Sequence, residues 1–292
     1  MTQPAPSLRQ RAESEASRLP PLLARAERLA GSVLLGEHGR RRAGLGDDFW
    51  QYRPAQPGDS RRLIDHRRSA RGDVQYVRER EWQIAQSVML WVDQGASMRF
   101  SSSGNLPDKM DRARLLALAT AIILIRNGER VGLTGTTLPP RRGNAQILRL
   151  AEHFATAEDT DYASPEHRAM IPHARAVFLS DFLGDFGEIQ LALTKAADRG
   201  VHGVLLQVLD PDEESFPYQG RTVFQSIAGS VQHETLMAAG LRDRYLDRLE
   251  QRRDALEQLC RATGWRLGRH HTGDTAQTAL LWLHQALGGS TR

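Results

Sequence analysis

Two acids stand at the ends of two apolar runs. Val88–Val92 reads VMLWV and stops at Asp93, and Ala176–Ser180 reads AVFLS and stops at Asp181. A short apolar run bounded by turn residues suits a strand buried on both faces. In an open α/β sheet the residue just past such a strand stands on the carboxyl edge, where ligands bind. If the two strands are parallel neighbours, Asp93 and Asp181 face one crevice. Two carboxylates there could hold a divalent cation or serve a metal-assisted hydrolysis.

Other chemistries are excluded residue by residue. Gly95-Ala96-Ser97-Met98-Arg99 is not the G-x-S-x-G nucleophile elbow, because Arg99 stands at the last glycine. His233-Glu234 is followed at the H-E-x-x-H spacing by Met237. Gly95 stands where an Asp-based phosphotransferase would place a second acid after Asp93. His270-His271 has no Cys or acid at ligand spacing and reads as a loop. No P-loop is present.

The elements that must position the two acids follow from periodicity and punctuation. Helix-forming sequence over Ser7–Ala30 is interrupted at Pro20-Pro21 and stops at Gly31. It is expected to lie as a clasp on the main domain, or to serve as a partner-binding arm. Gly39–Trp82 carries a glycine turn (Gly44, Gly46), an aromatic group (Phe49, Trp50, Tyr52), a short helix within 61–70 and a strand within 73–80. A helix is expected over Lys109–Asn127, capped by Asp108 and stopped by Gly128. Its Leu115–Ile125 stretch is apolar nearly all round, so a clasp or a partner must cover it.

Further strands are expected over 130–134, 201–209 and 265–267. Helices are expected to about Ala155, over 185–199, 241–263 and 275–287, and an acidic loop over 210–220 leads to a hairpin. Strands alternating with helices predict an α/β fold with a doubly wound, mostly parallel, Rossmann-like sheet. The domain reading is a helical and irregular N-terminal extension (1–38), an Arg/Gly-rich segment packed on the core (39–87) and the α/β domain (88–292).

Composition narrows the class. The chain of 292 residues can bury a full core, and Leu115–Ile125, its longest apolar run, is too short to span a bilayer. The single cysteine, Cys260, allows no internal disulfide and fits a reducing compartment; with no signal core after the first charges, the cytoplasm is expected. The net charge is +4, yet Arg40–Arg80 alone carries 11 arginines against six acids, leaving the remainder near −1. Because those acids are interleaved with the arginines, ion pairing in a folded segment is favoured over an open phosphate-binding face, which argues against nucleic acid.

The order G-L-G-D-D-F, Y-R-P-A-Q-P-G-D, R-R-L-I-D-H-R-R-S-A-R and Y-V-R-E-R-E, followed by a strand ending V-D-Q-G-A-S-M, resembles the family called domain of unknown function fifty-eight, in its branch without membrane helices. The resemblance runs from about Arg40 to the C-terminal helix. It implies a von Willebrand factor A-like domain and a partnership with a MoxR-type AAA+ ATPase acting on a client protein.

Von Willebrand factor A domains carry a metal-ion-dependent adhesion site, Asp-x-Ser-x-Ser after the first strand, with a Thr and an Asp from later loops. By that resemblance Asp93, Ser97 and Asp181 are the metal residues, for Mg²⁺. The pattern is degraded: Gly95 stands at the middle Ser, and the loop that should offer Thr reads Pro139-Pro140-Arg141-Arg142-Gly143-Asn144, with Thr136 and Thr137 earlier. Mg²⁺ binds strongly only in near-ideal octahedral oxygen shells, so each lost oxygen weakens the site. Two readings stay open: Arg141 or Arg142 partly replaces the cation, or Asp93 and Asp181 accept hydrogen bonds within their own loops.

Arg61, Arg62, Arg67, Arg68 and Arg71 likewise either pin their segment through ion pairs or, with Arg141 and Arg142, form a partner-docking surface. The function expected is a non-enzymatic adaptor in protein complex assembly or maturation. The alternatives are a metal-assisted hydrolase using Asp93 and Asp181, and a nucleic-acid binder through Arg40–Arg80.

Overall fold

The computed structural model describes residues 21–34, 49–56, 64–70, 72, 74–80, 86–156, 160–220, 222–225, 232–235 and 239–288. The expectations placed on Arg61, Arg62, Arg71 and the Gly44/Gly46 turn lie outside them. The chain divides into two compact units, Glu37–Ala85 and the remainder.

In the smaller unit, strand β1 (Phe49–Pro54) pairs antiparallel with β2 (Tyr76–Arg80). Between them α2 (His66–Ser69) is capped by Asp65, whose Oδ1 accepts from Arg68 N at 2.9 Å. Ser69 Oγ accepts from Tyr76 N at 2.9 Å and ties this helix to β2.

The larger unit is built on five parallel strands: β3 (Ser87–Val92), β4 (Arg130–Leu133), β5 (Arg175–Ser180), β6 (His202–Leu209) and β9 (Arg266–His271), in the order β4-β3-β5-β6-β9. Side chains alternate across this sheet and feed two cores. Val88, Leu90 and Val92 of β3, Val177 and Leu179 of β5 and Val204, Leu206 and Val208 of β6 enter one core, with α3 (Lys109–Arg126), α4 (Asn144–Ala155) and α8 (Ala276–Gly288). Met89, Trp91, Ala176, Phe178 and Leu205 enter the other, with α5 (Phe186–Ala197) and α7 (Ala239–Thr263). A sheet covered on both faces accounts for the near-continuous apolar runs.

Helix α3 is buried along nearly its whole length. Its cover includes α1, a helix over 21–34 whose Leu22, Ala26, Ala30 and Val33 enter the same core, while Arg25 Nη2 pairs with Asp111 Oδ2 at 2.8 Å. No described helix is long and apolar enough to cross a membrane.

Three local expectations are corrected. Helix α1 runs through Gly31 to residue 34, because its inner stripe continues to Val33. His270 and His271 end strand β9 instead of forming a loop; buried His270 meets Arg112 Nη1 at 2.7 Å through its Nε2. The acidic stretch after Leu209 contains the short helix α6 (Pro211–Ser215), closed by a capping box between Asp210 and Glu213. Beyond it, β7 (Thr222–Gln225) and β8 (Gln232–Thr235) form the expected hairpin.

Candidate functional site

Numbered within the sheet alone, the strand order is 2-1-3-4-5, so the winding reverses between β3 and β5. In such sheets ligands bind at that switch point, outside the carboxyl ends of the strands. Asp93 and Asp181 end those two strands.

Register decides what each acid meets. Val92 pairs with Leu179, so Asp93 falls level with Ser180 and Asp181 lies one residue beyond. Asp93 Oδ2 accepts from Ser180 Oγ at 2.6 Å, and its Oδ1 accepts from Gly95 N at 2.8 Å. Asp181 Oδ1 accepts from Leu183 N at 3.0 Å, its Oδ2 meets Lys109 Nζ at 2.8 Å, and its carbonyl accepts from Gln207 Nε2 at 2.9 Å. Both acids are essentially inaccessible, at 1% and 0% exposure. Burial, with the charge of Asp181 adding to it, pushes the Asp93 carboxyl up to about 7, against the Ser180 and Gly95 hydrogen bonds. Phe182, directly after Asp181, is buried with φ 53°, a left-handed conformation that bulky residues avoid. Its ring lies against Trp91 and its N–H donates to Ser180 Oγ, which holds the strained turn in place.

The cation at this edge is Lys109, the first residue of α3. Its ammonium spans Asp181 Oδ2 and Glu213 Oε1, at 2.8 and 2.6 Å, and the side chain is 1% exposed. Burial alone would lower its pKa; the Asp181 and Glu213 carboxylates outweigh this and raise it. Burial raises the Glu213 carboxyl, and Lys109 opposes that rise. Glu213 in turn accepts from Asp210 N through Oε2 at 2.9 Å, so helix α6 is fixed by the same network.

A roof closes over the β3 loop. Ala96 N donates to Thr160 O at 2.7 Å and Ser97 N to Asp161 O at 2.8 Å, so the connection before β5 is laid along residues 95–97. A Cβ on Gly95 would stand 2.8 Å from Ala163 N and 2.9 Å from Asp161 O. Glycine occupies this position because another stretch of backbone fills the space a side chain would need. Tyr162 continues the roof, with its Cβ 3.0 Å from the place of a Cβ on Gly184.

The structure thus brings Asp93, Ser97 and Asp181 to one sheet edge, but it does not bring Arg141 and Arg142 there. Both arginines are exposed. Arg141 bridges to Val131 near the start of β4, and Arg142 acts on Glu129, which precedes that strand, so both belong to the opposite, amino edge. Arg67 and Arg68 are exposed on α2 of the smaller unit, with the Arg68 guanidinium 5.6 Å from the Tyr76 ring centroid.

Sequence reasoning missed Lys109, Ser180, Glu213 and Thr134. Two signals pointed at Lys109. It is one of only two lysines in a chain that otherwise uses arginine, and it opens a helix, where the macrodipole disfavours a cation. Thr134 follows β4, its N–H donating to Leu90 O at 3.0 Å. Its hydroxyl and that of Ser97 are buried and make no hydrogen bond among the described residues.

As arranged, these donors do not fit Mg²⁺, which requires about six oxygens in a near-octahedral shell. The Asp181 and Glu213 oxygens that could reach a cation hold an ammonium. Both Asp93 oxygens accept hydrogen bonds, and Gly95 supplies none. Among the described residues no group of three or more His, Cys, Asp or Glu side chains is placed to hold a metal. Cys260 offers no nucleophile, since burial, with Glu257 beside it, pushes its thiol up to about 12.

Solved structures to which the chain is similar include two Bacteroides proteins. One is the conserved hypothetical protein BatB from Bacteroides thetaiotaomicron (TM-score 0.40, 15% identity, covering 70% of this chain and 100% of that one). The other is an aerotolerance-related membrane protein from Bacteroides fragilis NCTC 9343 (TM-score 0.40, 14% identity, 70% and 99%). No curated protein matches the chain. The model of the protein family of unknown function DUF58 matches residues 51–255, well over half of the sequence, and the chain belongs to that family.

Proposed function

We propose that this chain is a non-enzymatic interaction module, von Willebrand factor A-like, that works with a MoxR-type AAA+ ATPase on a client protein. One observation carries the non-enzymatic part. Each of the four carboxylate oxygens of Asp93 and Asp181 already accepts a hydrogen bond or meets an ammonium, inside a site at 0–1% exposure. A general base or nucleophile needs an oxygen within reach of substrate or water. The ATPase partnership and the adhesion-site ancestry rest on the family resemblance. Charged groups left outside the network, such as Arg67, Arg141 and Arg142, suit docking contacts.

The test is recovery from native cell extract on the purified protein, with Mg²⁺ and with chelator, using wild type and Asp93→Ala. Identification of an AAA+ ATPase among the retained proteins supports the reading, and charge reversal at Arg67 and separately at Arg141/Arg142 then locates its surface. Metal-dependent turnover of a phosphoester or peptide that Asp93→Ala abolishes would replace this reading with the hydrolase.

A further inference from the structure

The cation at the switch point is covalently part of the chain. Asp181 and Glu213, 72 and 104 residues from Lys109 in sequence, converge on its ammonium at 2.8 and 2.6 Å. A buried carboxylate and a partly buried one beside a third, Asp93, repel one another unless a positive charge sits among them. An ammonium is a compact point charge with three donors, and so resembles a small metal ion more closely than a planar guanidinium does. That explains a lysine here in a chain whose other permanently charged side-chain cations, apart from Lys195, are all arginine. It also explains why the Ser97 and Thr134 hydroxyls at the same edge are buried without partners: a cation held on a side chain needs no oxygen shell.

We propose that Lys109 is the resident cation of this site, standing where a metal-dependent site would hold a divalent ion, so that its ammonium neutralises Asp181 and Glu213 and the site takes no metal. The inference deepens the adhesion-like reading above and rests on it only for the comparison with a metal-dependent site.

Wild-type protein is titrated with Mn²⁺ by electron paramagnetic resonance, and its unfolding temperature is measured with excess Mg²⁺ and with chelator. No saturable Mn²⁺ binding and an unchanged melting temperature are expected. Lys109→Met strands the buried Asp181 and the partly buried Glu213 and is expected to melt lower than wild type. Should Lys109→Met fail to fold, Lys109→Met/Glu213→Gln removes one stranded charge and is expected to recover folding.

Stoichiometric Mn²⁺ binding by the wild type, lost in Asp181→Asn, overturns the proposal. So does a Lys109→Met protein as stable as wild type, or a Lys109→Met/Glu213→Gln protein no more stable than Lys109→Met. Each of these results leaves the interaction reading intact, whereas failure to recover an ATPase sinks that reading and leaves the assignment of Lys109 untouched.

Discussion

Replacing Gly95 by serine would restore the middle hydroxyl of the adhesion motif, yet the expected result is a weaker fold and no new ligand. A Cβ at residue 95 would lie 2.8 Å from Ala163 N, 2.9 Å from Asp161 O and 3.0 Å from Asp93 Oδ1. Two of these are backbone atoms and the third is a carboxylate oxygen fixed by hydrogen bonds, so none can turn aside as a flexible side chain would. The backbone itself is unstrained, with Gly95 at φ −62°, and the penalty is therefore purely steric.

Relief requires the 160–163 connection to lift, breaking the bonds from Ala96 N to Thr160 O and from Ser97 N to Asp161 O. Overpacking of this kind costs about 1–3 kcal/mol, and each lost hydrogen bond about 0.5–1.5 kcal/mol. A loss of about 2–6 kcal/mol follows, or roughly 5–15 °C in melting temperature. Urea unfolding reads it directly. Gly95→Ala should lose about as much, because the offending atom is the Cβ; Gly104→Ser, facing open space, should be neutral. Wild-type stability in both Gly95 variants would refute the rigid roof, and with it the explanation of the missing serine.

Two buried groups should oppose one another in the pH dependence. Asp93 is pushed up to about 7, so the folded state holds an extra proton between pH 4 and 7, and its contribution falls as pH rises through that window. His270 is held down at about 4 by burial and by Arg112, so the unfolded state holds the extra proton between pH 4 and 6.5, and stability rises with pH by about 3 kcal/mol. The two slopes oppose one another across pH 4–6.5. Asp93→Asn should make stability climb with pH there and His270→Gln should make it fall; chemical denaturation at a series of pH values checks both, and unchanged slopes would contradict these environments.

Arg112 donates to His270 Nε2, Thr272 O and Asp274 O at 2.7, 2.9 and 2.6 Å. Arg112→Met should cost about 3 kcal/mol in urea unfolding by leaving buried acceptors without donors, and a loss below about 0.5 kcal/mol would show that these contacts do not hold β9 to α3.

The sequence by itself determined the sheet. Apolar runs that stop at acids, glycines after helices and caps such as Asp108 are local signals, because strand burial and helix termination act over a few residues. They placed β3, β5, α3 and α8 to within a few residues and put Asp93 and Asp181 at strand ends. Their partners were not legible. The pairing of Asp93 with Ser180, and not with Asp181, follows from an inter-strand register of one residue. Lys109 meets Glu213 only because folding brings the start of α3 beside helix α6, which follows β6. Gly95 reads in sequence as a lost ligand, and the backbone of residues 160–163 shows it as a required space. Charge neutralisation and steric exclusion depend on distances across the chain, which local pattern does not encode, so only the tertiary structure decided which cation and which backbone close this site.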